Sequence, residues 1–186
     1  MPSEIRIYFE GSSLLKPGFC AFFREISECA RQKRCGFKLI SARSGDEAER
    51  DFEIALREHR SAWPILLRDS EGPARHRSKT PHADRTFWMV EMMEAWFHAD
   101  KDALAGFYGE GFKKTSLKPN PKVETISKQD LVSGLRAATR RTKQGDYFNH
   151  KTSHGPKLLS AIDASLVRAA APNCERLSQA VLAHLE

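Results

Sequence analysis

Hydrophobic and polar positions along the first hundred residues follow two alternating patterns. Short runs of aliphatic, aromatic and β-branched residues, typical of buried strands, alternate with longer stretches whose apolar residues recur at helical spacing. The runs predict strands at 5–9, 37–41, 63–67 and 87–90, and helices at 17–33 and 44–59. Strands that alternate with helices favour a mostly parallel sheet with right-handed crossovers and flanking helices. We therefore predict an α/β fold of the Rossmann-like kind.

The stretch 44–59 carries the clearest helix signals in the chain. Ser44 is a candidate N-cap, and Glu47 follows three residues later, which is the spacing of a capping box. Asp46 and Glu47 also place negative charge at the positive end of the helix dipole. We therefore expect a helix that begins directly after Ser44.

Beyond residue 100 the pattern is helical and more basic. It predicts helices at 101–109, 127–141, 155–162, 163–170 and 172–186. Proline and glycine residues separate these pieces. We predict one compact unit with two parts: an α/β core over residues 1–100, and a helical, basic C-terminal extension over residues 101–186 that packs on the core.

Composition narrows the class of protein. A chain of 186 residues is long enough for one domain with a substantial core. It contains no run of about 18 apolar residues and no basic N-terminal region followed by an apolar run, so we expect neither a membrane span nor a secretory signal. The four cysteines form no CxxC pair, and we expect them to be buried, reduced thiols of a cytoplasmic protein.

Three acidic residues follow predicted strands. Glu10 follows the first strand, and Asp69 and Glu71 follow the third. The carboxyl ends of parallel strands meet at one sheet edge, and the spacing of Asp69 and Glu71 would point both side chains the same way on extended backbone. Clustered carboxylates need a compensating cation, and an all-oxygen set suits Mg²⁺ or Mn²⁺ better than zinc. We expect these three acids to bind such a metal; the alternative is that they are ordinary loop and capping residues.

Two further residues are candidates for catalysis. Glu94, in "MMEAWF", is either an additional metal ligand or an ion-pair glutamate between core residues. Lys151, in "YFNHKTSH", is either a cation that stabilises charge on a reacting phosphate or a surface lysine. Glycine and asparagine residues predict a loop over 145–155, so His150 and His154 are not expected to share a helix face.

The charge balance favours an anionic partner. The chain has 30 basic and 24 acidic residues and a net charge of +6. Two basic clusters are candidates for binding a nucleic-acid backbone, the alternative being solvated surface charge. They comprise Arg75, Arg77 and Lys79 in the loop after the third strand, and Arg140, Arg141 and Lys143 in "RRTK".

Glu10-Gly11 after the first strand and Asp69-x-Glu71 after a later strand resemble the Toprim domain of topoisomerases, primases and overcoming-lysogenization-defect nucleases. In that family a glutamate and a D-x-D pair bind Mg²⁺ for phosphodiester chemistry. The resemblance implies a Toprim-like core over residues 1–100, with Glu10, Asp69 and Glu71 as metal ligands. Glu71 departs from the usual aspartate, which leaves the geometry at this position open.

The chain as a whole resembles a bacterial family, domain of unknown function 4276. The resemblance rests on "YFEGSS", "LLRDSEGP", "MVEMMEAWFHADKDAL", "ATRRTKQGDYFNHKTSHGPKLLSAID" and "VRAAAPNCERL". It implies an association with an ATPase partner in phage defence.

Three functional hypotheses follow. The first is a Mg²⁺-dependent, nuclease-like enzyme that processes phosphodiester bonds. The second is a non-catalytic Toprim-like interaction module or subunit of an ATPase complex. The third is a nucleotide-binding α/β domain, which the lack of a G-x-x-x-x-G-K-[ST] or G-x-G-x-x-G motif disfavours.

Overall fold

The strands predicted from the sequence form one parallel sheet. The computed structural model describes residues 2–72, 82–119 and 121–186. The strands are β1 (Glu4–Glu10), β2 (Gly36–Ala42), β3 (Ala62–Asp69) and β4 (Thr86–Met89). They are ordered β2-β1-β3-β4, and every neighbouring pair is parallel. The predicted Rossmann-like α/β fold is therefore confirmed.

Helices cover both faces of the sheet and make up most of the second half of the described chain. They are α1 (Lys16–Phe22), α2 (Arg24–Gln32), α3 (Gly45–Glu58), α4 (Glu94–Phe97), α5 (Lys101–Tyr108), α6 (Lys128–Thr139), α7 (Lys151–Ala161), α8 (Ala164–Ala170) and α9 (Pro172–Ala183). The single helix predicted at 17–33 is two helices, because Phe23 leaves the helical conformation (φ −90°, ψ 16°). The predicted cap of α3 is confirmed: Ser44 Oγ accepts a hydrogen bond from the Glu47 backbone N–H at 3.2 Å.

Alternate residues of β1 pack on opposite sides of the sheet, as the pleat requires. Ile7 and Phe9 are fully buried on the side covered by α1, where the Phe9 and Phe19 rings lie 4.6 Å apart. Tyr8 is buried on the other side, in a smaller cluster with Phe52 of α3. Burial on both faces explains why β1 is a continuous apolar run in the sequence.

The C-terminal helices pack directly on the core, through a close approach of α1 and α7. A Cβ atom added to Gly18 would lie 2.6 Å from the Pro156 carbonyl oxygen and 2.8 Å from Leu159 Cβ. The larger hydrophobic cluster includes residues of both halves of the chain, from Ile5 to Leu185. The two parts therefore share one hydrophobic core.

The loop predicted over 145–155 is wrong for its second half. Lys151 begins α7, His154 lies within that helix, and the His150 and His154 rings are 5.2 Å apart. Gly155 is explained by packing, because a Cβ atom there would lie 3.2 Å from Leu15 Cδ2. The glycine allows α7 to approach its neighbours and does not interrupt the helix.

Two expectations from composition concerned the burial of the cysteines and the lack of a membrane span. All four cysteines are free; Cys35 and Cys174 are buried as expected, but Cys20 is exposed, so the expectation was wrong for that residue. Among the described residues, we find no helix with both the length and the apolar character that crossing a membrane requires.

Candidate active site at the carboxyl edge of the sheet

Glu10 and Asp69 lie at the same edge of the sheet, as predicted. Glu10 ends β1, Asp69 ends β3, and these two strands are parallel neighbours. Both residues line a cavity of about 240 Å³, and Lys151 and Arg43 also line it. The structure therefore brings two predicted metal ligands and one predicted catalytic cation to a single cavity.

Asp69 is held in place by the backbone of the segment that follows β4. Its Oδ1 accepts a hydrogen bond from the Met93 backbone N–H at 2.9 Å. Burial is the main cause that raises the pKa of Asp69 to about 8, and the nearby carboxylates of Glu94 and Glu10 raise it further. Lys151 opposes this shift, as does the Met93 hydrogen bond. Asp69 therefore lies where negative charge exceeds local compensation.

Glu94 is the most deeply buried acid of the site, with no exposed surface. It begins α4, whose other residues are also buried. Its Oε1 accepts a hydrogen bond from the Tyr147 hydroxyl at 2.8 Å and forms an ion pair with Lys151 Nζ, also at 2.8 Å. Its Oε2 is buried and has no hydrogen-bond partner in the described part of the chain. One oxygen is thus doubly held, while the other is unsatisfied.

Lys151 joins the buried acid to the cavity. It begins α7, its side chain is half-exposed, and it lines the cavity that contains Glu10 and Asp69. Its ammonium pairs with Glu94 and also favours the charged form of Asp69. The ion-pair interpretation of Glu94 is therefore confirmed, while a metal-ligand role of Glu94 and a catalytic role of Lys151 stay predictions.

Tyr147 belongs to this site, and the sequence analysis missed it. It lies in a short 3₁₀ helix (Tyr147–Asn149) just before α7 and is fully buried. Burial is the largest cause that raises the pKa of its phenol, with Glu94 as the next cause, so the hydroxyl stays a proton donor. The one feature of the sequence that could have pointed to Tyr147 is its position four residues before the candidate Lys151.

Glu71 does not line the cavity that contains Glu10 and Asp69. The same-side projection expected for Asp69 and Glu71 is wrong, because β3 ends at Asp69 and Glu71 adopts a left-handed backbone conformation with φ of 53°. Its exposed side chain forms an ion pair with Lys128 of α6. In residues 2–72, 82–119 and 121–186, no three His, Cys, Asp or Glu side chains are arranged as a formed metal site.

The carboxylate of Glu10 lies beside the start of α3. Its Oε2 would be 3.0 Å from a Cβ atom on Gly45, and Arg68 Nη2 lies closer to that position, at 2.5 Å. The absence of a side chain at Gly45 leaves room for both groups. Arg68 itself pairs with Glu49 at 2.8 Å.

Of the predicted basic clusters, the one that the structure describes does not line this cavity. Arg75, Arg77 and Lys79 lie outside the described residues. Arg140, Arg141 and Lys143 follow α6 and are exposed. Their role in binding nucleic acid stays a prediction.

The fold and the site together define an α/β protein with buried acids and a lysine at the carboxyl edge of a parallel sheet. The family model described as Domain of unknown function (DUF4276) matches residues 12–182, so the chain belongs to that family. No curated protein and no solved structure matches the chain.

Proposed function

We propose that this protein is a Mg²⁺-dependent enzyme that cleaves or transfers phosphodiester bonds, with Glu10, Asp69 and Glu94 as its metal-binding acids. The observation that carries the proposal is the unsatisfied, fully buried Oε2 of Glu94 next to Asp69, whose pKa is raised to about 8. Buried carboxylates with too little compensation are unfavourable unless a cation binds them. A divalent cation in the adjoining cavity would supply that compensation.

The donor set suits Mg²⁺ or Mn²⁺. The three acids offer only carboxylate oxygens, which hard divalent cations prefer. Mg²⁺ retains several water ligands and needs only one or two protein carboxylates, so a complete cage of side chains is not required. Glu94 takes the place that the sequence resemblance gave to Glu71, because Glu71 pairs with Lys128 at the surface.

Each residue of the site would have a separate role in phosphodiester chemistry. A bound Mg²⁺ would polarise the phosphate and lower the pKa of a water molecule. Lys151 places an ammonium at the cavity wall, where it can stabilise charge on the phosphate oxygens. Tyr147 and Lys151 together hold Oε1 of Glu94, which fixes the direction of Oε2. The Toprim-like resemblance supports the same reaction class.

The alternative is a non-catalytic interaction module, acting with an ATPase partner in phage defence as the resemblance implies. The ion pair of Glu71 favours it, because one of the three acids of the Toprim-like pattern then pairs with Lys128 and does not line the cavity that contains the other two. In this alternative the buried Glu94–Lys151 pair serves folding alone.

A cleavage assay separates the two functions. The full chain is incubated with single- and double-stranded DNA and RNA in Mg²⁺ or Mn²⁺, beside Glu94→Gln and the exposed-site control Asp102→Asn. The enzyme hypothesis predicts metal-dependent cleavage by the wild type and the control and at least a hundredfold loss in Glu94→Gln. Equal cleavage by all three proteins would refute the role of Glu94 in the reaction, and no cleavage by the folded wild type on any substrate would favour the alternative.

A further inference from the structure

A second cavity adjoins the acidic one. Its volume is about 530 Å³, and the two cavities share Gly11, Ser12 and Arg43 as lining residues. Ser12 follows β1, and Arg43 follows β2, so the second cavity lies beyond the carboxyl ends of these strands. Ser13 and Ser41 complete its hydroxyl-rich wall. The acidic cavity is therefore one end of a longer depression.

Arg43 is the cation that stands between the two cavities. Its side chain is exposed, and within the described part of the chain its guanidinium forms no ion pair. Lys151 differs, since its ammonium already pairs with Glu94. Arg43 thus offers a positive charge that no described protein carboxylate neutralises.

The acidic residue of the second cavity, Glu47, is engaged elsewhere. Its Oε2 accepts a hydrogen bond from the Arg43 backbone N–H at 2.7 Å, and its Oε1 lies 3.8 Å from Arg50 Nη2. The hydroxyl groups of Ser13 and Ser41 make no hydrogen bond to any other described residue, so both can donate to a ligand. The cavity therefore presents one guanidinium and several hydroxyl donors.

We propose that this second cavity binds the phosphate of a nucleic-acid strand that neighbours the reacting phosphate, with Arg43 as its principal ligand; this rests on the function proposed above. A guanidinium binds phosphate oxygens through paired hydrogen bonds, and serine hydroxyls donate to the same oxygens. Among the described residues, none that lines this cavity is aromatic, so a base has no ring there on which to stack. Binding here is therefore to the backbone and independent of base sequence.

The test measures the affinity of the full chain for a short, fluorescein-labelled single-stranded DNA and for an RNA of the same sequence. Fluorescence anisotropy reports the binding over a range of salt concentrations. Arg43→Ala removes the proposed ligand. Arg57→Ala is the matched control, because it removes the same charge from an exposed arginine at the far end of α3, about 20 Å away by helix rise.

We expect Arg43→Ala to weaken binding about five- to twentyfold for every sequence and to lower the salt dependence by about one counterion, while Arg57→Ala stays within about twofold of the wild type. Equal affinities of the two variants, or no binding of either strand by the wild type with Mg²⁺ present, would overturn the proposal. Selective loss in Arg43→Ala without any cleavage by the wild type would uphold the strand site and refute the enzymatic function. Cleavage by the wild type, with no selective loss of affinity in Arg43→Ala, would uphold the enzymatic function and refute the strand site.

Discussion

Replacing Asp69 by asparagine should stabilise the protein at neutral pH, although Asp69 is at the centre of the candidate site. The pKa of Asp69 is about 8 in the folded protein and has an ordinary value of 3.8. Between these two pH values the folded protein holds a proton on Asp69 that the unfolded chain has released. The free energy of unfolding therefore falls as pH rises through this window.

The magnitude follows from the size of the pKa shift. Each unit of pH within the window lowers the free energy of unfolding by about 1.4 kcal/mol, so the carboxyl group of Asp69 destabilises the fold by about 4 kcal/mol at pH 7. Asparagine has no charge to lose, and its amide oxygen can still accept the Met93 N–H. Its NH₂ group needs an acceptor, and its imperfect pairing would cost about 1–3 kcal/mol. We expect a net gain of about 1–3 kcal/mol.

The assay is urea unfolding, followed by tryptophan fluorescence in metal-free buffer at pH 5 and pH 8. The wild type should be less stable at pH 8, and Asp69→Asn should lose most of this difference. The matched control is Asp102→Asn, since Asp102 is exposed and forms its ion pair with Lys114, which is also exposed; the stability of this variant should differ from that of the wild type by less than about 0.5 kcal/mol. Destabilisation by Asp69→Asn at pH 7, or a pH dependence equal to that of the wild type, would refute the reasoning.

Three further substitutions test separate parts of the structure. Tyr147→Phe should lower the free energy of unfolding by about 1–3 kcal/mol and weaken Mn²⁺ binding, as denaturant unfolding and calorimetry would measure. The control Tyr108→Phe removes a buried hydroxyl that bonds to a histidine, and it should leave Mn²⁺ binding unchanged. Equal Mn²⁺ affinities of the two variants would contradict the role of Tyr147. Gly18→Ala should cost about 1–3 kcal/mol through overpacking at α7, while Gly106→Ala, with open space around the added Cβ, should be neutral or stabilising, as thermal unfolding would report. Glu71→Gln should change the free energy of unfolding by less than about 1 kcal/mol, because its ion pair is exposed, and a larger loss in denaturant unfolding would show a structural role.

The fold was predictable because its signals are local. Apolar runs and amphipathic stretches alternate along the first hundred residues, and the cap at Ser44 is set by a neighbour three residues away. Parallel order follows from the alternation itself, and it predicts that Glu10 and Asp69 lie at one edge, as they do. Each of these inferences needed only residues that are close in sequence.

The site was predictable only in part because its decisive contacts are distant in sequence. Tyr147 and Glu94 are 53 residues apart, and nothing near either residue indicates that they bond. Glu71 was misplaced for a different reason: its left-handed backbone ends the extended geometry on which the spacing argument relied. Gly155 indicated a loop, but packing against Leu15 keeps it within a helix. Tertiary contacts thus decided the positions of Tyr147 and Gly155, and local backbone conformation decided that of Glu71.

The most direct test of the central claim is isothermal calorimetry with Mg²⁺ and with Mn²⁺ on the full chain, beside Glu94→Gln and Glu71→Gln, with circular dichroism to confirm that each protein is folded. The proposed site predicts saturable binding by the wild type, an affinity about 10–100-fold lower in Glu94→Gln, and an affinity within about twofold of the wild type in Glu71→Gln. Absence of binding by the folded wild type, or equal binding by wild type and Glu94→Gln, would contradict a metal site built on the buried acid.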